Sequence, residues 1–143
     1  MSASWEASSA LRLAHMQSSI ARADQGSAPS AVCIYSTARP GPGQPHTDTP
    51  QAVITLAKPC AALIGGALVW IAADPAGAMV MQGGLPRWAE WLAGDGTLLA
   101  RCNVTDMDHD GGLRVVGGAT PPGETSPMLY AGGLVQIGVV VLT

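Results

Sequence analysis

Two hydrophobic periods divide the chain. Before residue 26 the apolar positions recur every three to four residues, and from residue 31 they alternate in short runs broken by glycine and proline. The first pattern predicts one helix over residues 4–25, with Ser4 as cap, Glu6 as an anion in the first turn and Gly26 placed to end it. Leu13, Met16 and Ile20 form its apolar stripe, Trp5 begins the segment, and Ser8, Ser19, Arg22 and Gln25 take the opposite face. Such a terminal helix either packs on its own domain or reaches a neighbouring subunit as an arm, with residues 27–30 as the hinge.

The second pattern predicts eight or nine short strands. Residues 31–36 (AVCIYS) form the first. Residues 40–50 (PGPGQPHTDTP) hold four of the eleven prolines, cannot pair in a central strand and read as an exposed loop. Strands are then expected at 51–57, closed by Lys58-Pro59, at 67–72, and at 78–82 after a turn at 74–77. The clearest hairpin runs from Arg87 to Asn103, with Gly94-Asp95-Gly96 supplying the turn. Strands at 113–116, 127–131 and 134–142 complete the chain, the last with apolar residues on both faces. Many short strands separated by turn clusters indicate a β-sandwich, jelly roll or barrel.

Composition narrows the class. A chain of 143 residues is one domain long, and 48% apolar content excludes wholesale disorder. One lysine, six arginines and a net charge of −3 leave no basic footprint for nucleic acid. Only 12% of residues are charged, where about 25% is usual. That scarcity fits a surface of Ser, Thr, Gln and Gly, or one covered by other subunits, because interface cores are depleted of charge; the second reading is favoured. The N-terminal residues lack the basic and apolar regions of a secretory signal. The longest apolar run, 14 residues at 60–73, contains Gly65-Gly66 and falls short of the roughly 20 residues of a membrane span.

Candidate chemistry is sparse. Asp106, Asp108 and Asp110, followed by Gly111, open like a calcium loop, but position twelve is Gly117 instead of a bidentate glutamate, so a solvated acidic turn is the preferred reading and no metal is expected. His15, His46 and His109 form no i, i+4 pair, and no Gly-x-Ser-x-Gly elbow occurs. Gly83-Gly84 and Gly111-Gly112 lack the spacing of a phosphate cradle. Cys33, Cys60 and Cys102 lack CxxC spacing and are expected as free, buried thiols of a chain made in a reducing cytoplasm. An enzyme is therefore not expected. Trp88 and Trp91 lie an odd number of positions apart in a strand and point to opposite faces, so one can fill the core while the other meets a partner.

The order of segments resembles small tailed-bacteriophage virion proteins. A short helix precedes a strand ending near Arg39-Pro40, then a strand closed by Lys58-Pro59-Cys60, the RWAEWLAGDGTLLARCNV hairpin and a valine-rich last strand. The resemblance covers roughly residues 13–143 and extends, in size and β character, to the capsid-cementing (decoration) proteins of Bordetella-type short-tailed phages. It implies a non-enzymatic jelly-roll homodimer on the capsid exterior, gripping the major capsid protein, with no catalytic residues, cofactor, nucleic acid or membrane. The expected layout is a helical arm over residues 1–26 and a β-sandwich over 27–143. Trp5, Leu13, Met16, His46 and the exposed member of Trp88 and Trp91 are the expected contacts. A neck or tail ring component, and a carbohydrate-binding module of a receptor-binding fibre using Trp88 and Trp91, are the alternatives.

Overall fold

The helical period is realised over Ser9–Ala23 (α1), where the Ser8 side chain accepts the Leu11 N–H at 3.2 Å as the cap. Ser4 lies outside residues 5–140, which the structure, a computed structural model, describes. The stripe that reaches the sheet is Met16, Ile20 and Ala23; Leu13 sits a turn too early and stays partly exposed. The helix C-terminus is fastened to the rest of the chain. Ala23 O accepts Gly94 N–H at 2.9 Å, the Asp24 carboxylate accepts Cys60 N–H, and Lys58 Nζ donates to Gly26 O at 2.9 Å. The helix is seated on its own sheet, so Met16 belongs to the core and is not available to a neighbour.

Eight strands follow: β1 (Ala31–Tyr35), β2 (Ala52–Ile64), β3 (Ala67–Ala72), β4 (Ala78–Met79), β5 (Trp88–Leu92), β6 (Leu98–Thr105), β7 (Leu113–Val116) and β8 (Leu134–Val140). They make one curled, mixed sheet in the order β3-β2-β1-β5-β6-β7-β8-β4. The fold is mainly β with one helix. The β5–β6 hairpin forms as the Gly-Asp-Gly turn requires, and Gly65-Gly66, both at positive φ, close the tight β2–β3 hairpin. Among these pairings only β6–β7 is parallel. The chain achieves it without a long crossover, by folding residues 106–112 back on β6 so closely that a Cβ on Gly112 would meet that of Cys102 at 2.8 Å.

The strand expected to stop at Lys58-Pro59 continues to Ile64. Proline is tolerated there because the β2–β3 register shifts between Leu56 and Ala61, and Cys60 N–H turns to Asp24 instead of a ladder partner. The strand expected at 127–131 reduces to one bridge between Gly84 and Leu129, and the one at 78–82 to two residues.

The sheet curls until its ends meet. Met81 N–H, just past β4, donates to Gln51 O at 2.8 Å at the start of β2. Trp70 and Ile71 of β3 face Val135 and Ile137 of β8 across an open cleft of about 330 Å³. The concave face carries the main core, including Ile34, Leu56, Leu68, Trp91, Leu113 and Val135. No helix among the described residues is long and apolar enough to cross a membrane.

This seating of α1 has a measurable consequence. Met16→Ala is expected to cost about 2–5 kcal/mol, as buried truncations do, and Leu13→Ala to stay within roughly 0.5 kcal/mol. Urea unfolding of the two variants makes the comparison, and equal costs would contradict the assigned face.

Candidate functional site

The densest chemistry lies on the convex face of β1, β5 and β6, beneath the proline-rich loop. Strand alternation puts Cys33 and Tyr35 on that face together with Trp88 and Glu90 from β5 and Arg101 from β6, because Tyr35 pairs with Trp88, Cys33 with Glu90 and Glu90 with Arg101. Glu90 is 5% exposed. Its Oε1 accepts Arg101 Nε at 3.1 Å and His46 Nε2 at 2.8 Å, and its Oε2 accepts the Tyr35 hydroxyl at 3.0 Å. His46 Nδ1 in turn accepts the Asp48 N–H at 3.1 Å, so the neutral ring carries its proton on Nε2. Tyr35 and Trp88 stack at 4.2 Å, and the His46 ring stands edge-on to both. The Arg101 guanidinium lies 5.7 Å from the Trp88 ring centre, within cation–π range.

The surroundings shift titrations away from reactivity. Burial first, and then the hydrogen bond to Glu90, raise the Tyr35 hydroxyl above its ordinary value. Burial and the Glu90 charge raise the Cys33 thiol. Burial and Asp24 push Cys60 up to about 12, and burial takes Cys102 to about 11. All three cysteines are free and protonated at neutral pH, the inert form of the thiol.

The loop that carries His46 is therefore a roof. Thr37 Oγ1 donates to Asp48 Oδ2 at 3.0 Å, tying the two ends of the loop together, and Arg39 donates to Asn103 Oδ1 at 2.9 Å, tying its first half to β6. His46, expected as an exposed contact, is instead largely enclosed, with 15% of its side chain exposed. Trp88 and Trp91 do point to opposite faces, yet both are buried, at 0% and 3%. Trp88 lies under the roof, and Trp91 faces Trp70 in the core and donates from Nε1 to Ser30 Oγ at 2.8 Å. Neither ring is left to meet a partner directly. Of the expected contacts, Trp5 is 96% exposed and Leu13 39%.

The acidic turn is spent on its own loop. Asp106 Oδ1 accepts from His109 Nδ1 and Asp108 N–H, its Oδ2 accepts the Thr120 hydroxyl, and Asp110 pairs with Arg114. The Thr120 and His109 hydrogen bonds hold the Asp106 carboxyl below the usual carboxylate range. Among the described residues no group of three His, Cys, Asp or Glu side chains is arranged to hold a metal ion. A second cleft, of about 340 Å³ between α1 and β6, has Arg22 as its one charged lining residue, and that guanidinium is engaged by Asp95 and Thr97.

The exposed surface also carries large apolar side chains. No family model, no curated protein and no solved structure matches the chain. The surface itself is thus the guide. Residues 59–73, 75–86 and 125–143 contain no charged side chain, Asp74 being the one acid between the first two. The fold gathers those segments, because β3, β4 and β8 are the strands around the seam where the curled sheet meets itself. Met79 and Leu134 are register partners, and with Met81 and Tyr130 on the same two segments they are 50–71% exposed. Sequence reasoning missed this patch although the charge-free runs were visible, since their convergence is a property of the topology.

Two outcomes are expected. Glu90→Ala strands buried Arg101 and Tyr35 and should destabilise the domain by about 3–5 kcal/mol in urea unfolding. A cost below about 1 kcal/mol would mean that the network is not holding the face. For Asp106, the folded carboxyl titrates below its unfolded value of about 3.9, so its stabilisation is present above that pH and is lost as pH falls through the folded value. Asp106→Ala should therefore lower the urea midpoint at pH 7 and have progressively less effect below about pH 4. An undiminished effect in acid would contradict the assignment.

Proposed function

We propose that this protein is a non-enzymatic structural protein of a tailed-phage virion, a cementing or decoration protein that binds the major capsid protein on the capsid exterior and associates with itself as a homodimer. In this reading the curled sheet is a jelly-roll-like body, and the chain uses neither cofactor, nucleic acid nor membrane. The observation that carries the proposal is the exposed, charge-free patch of Met79, Met81, Tyr130 and Leu134. Large apolar side chains grouped without charge mark contact surfaces, and flexible methionines suit a surface that fits against another protein. The side chains with catalytic potential are tied up in hydrogen bonds, which supports an architectural role over a chemical one.

The mechanism is apolar burial repeated over a lattice. One contact is modest, and many copies tethered to one shell add up through effective concentration. Removing the helix is a poor test, because Met16 and Ala23 would leave the core with it. A surface variant separates binding from folding. Empty shells of the phage that carries this protein should co-sediment the wild-type chain, and Met79→Glu should weaken that binding by about tenfold or more with an unchanged unfolding midpoint. Absence of co-sedimentation by the wild type would overturn the proposal.

A further inference from the structure

Of the three buried tryptophans, Trp88 donates to Thr37 Oγ1 and Trp91 to Ser30 Oγ, whereas the Nε1–H of Trp70 is buried with no acceptor. Such a donor has given up its hydrogen bond to water and gained nothing in exchange, so an acceptor brought from outside is worth more to it than to an exposed group. Two spaces adjoin the ring. One is a void of about 30 Å³, walled mainly by Ala89, Trp91, Ala100 and Val140. Those walls do not offer a buried water the roughly two to four polar partners it needs. The other is the cleft of about 330 Å³ where β3 faces β8. Trp70 is the one residue lining both, so its indole is the partition between them, and the acceptor it lacks has room to enter from the cleft.

The cleft is built to a definite chemistry. Buried Ile54 and Val135 and half-buried Ile137 give it apolar walls. Its rim is fixed by the turn after β3, where Asp74 Oδ1 accepts the Ala76 N–H at 3.0 Å and Gln136 Nε2 donates to Ala76 O at 3.0 Å. Asp74 is the one charged residue lining it, so no cation is present to hold an anion, and an organic cation would meet a carboxylate only at the exposed rim. Its volume lies at the lower end of the roughly 300–1,000 Å³ of small-molecule pockets. We propose that the β3–β8 cleft binds a small neutral organic molecule with an apolar body and a carbonyl oxygen. The oxygen accepts the hydrogen bond from Trp70 Nε1–H, and the body lies against Ile54, Val135 and Ile137. Apolar contact supplies the affinity, and the unpartnered indole selects for the oxygen.

This site goes beyond the capsid reading and depends on no part of it. The test is a titration of the full-length, 15N-labelled chain, read at the assigned Trp70 indole N–H. Acetophenone should shift that resonance saturably, with a dissociation constant of about 1 mM or tighter. Ethylbenzene, of nearly the same shape without the oxygen, should bind about tenfold more weakly, and the anion benzoate should bind no better than ethylbenzene. Trp70→Phe, followed at the amides of Val135 and Ile137, should bind the two neutral molecules equally. Ala72→Leu, which narrows the cleft, should weaken acetophenone binding while the chain stays folded. An indole resonance that acetophenone does not move, equal binding of ethylbenzene by the wild type, or full binding by Ala72→Leu would each overturn the site. The comparison of acetophenone with ethylbenzene needs no variant, so it decides the matter even if Trp70→Phe fails to fold.

Discussion

The arrangement depends on one buried carboxylate. Glu90 sits in the middle strand of the convex face, where an unpaired charge would be expensive to desolvate. The fold compensates by bringing a guanidinium, a phenol and an imidazole to its two oxygens, one from each neighbouring strand and one from the loop above. Each partner is thereby fixed. Arg101 is held over Trp88, Tyr35 stacks on the same ring, and His46 pins the proline-rich loop as a lid. A single acid thus turns what would be an exposed aromatic face into an interior. It also removes the side chains with the most chemical potential from contact with solvent.

With one face roofed and the other filled by the core, a charge-free surface lies at the rim of the curled sheet. Charge is segregated accordingly. It is concentrated on the helix, the proline loop and the turns of β5 to β7, while β3, β4 and β8 meet at a seam lined by a single acid. An open cleft between β3 and β8 and a methionine- and tyrosine-bearing patch at β4 and β8 are separate features of that rim.

Much of this was legible in the sequence, and the exceptions share a cause. The β5–β6 hairpin could be read because Gly94-Asp95-Gly96 is a local signal, and the opposed faces of Trp88 and Trp91 followed from parity alone. The burial of both rings could not, because it requires residues 36–50 to fold back over the sheet, and that return is fixed by Glu90, distant in the chain. For the same reason His46 looked like a solvent-facing contact in a proline loop. The helix expected from residue 4 begins only at Ser9 under a Ser8 cap, and Leu13 lies off the contact face although it matches the stripe by spacing, since only the position of β2 decides where contact begins. Proline at 59 suggested a strand end, and only the register shift and the Asp24 acceptor, supplied from the helix, let β2 pass through it.

The central claim is that the Glu90–His46 hydrogen bond locks the loop to the sheet, and a double-mutant cycle measures it most directly. Urea unfolding of wild type, His46→Ala, Glu90→Gln and the double variant should give a coupling energy of about 1–3 kcal/mol between the two positions. Limited proteolysis within residues 40–50 should accelerate in the same variants. Coupling within about 0.3 kcal/mol of zero, with the loop no more susceptible than in the wild type, would contradict the account.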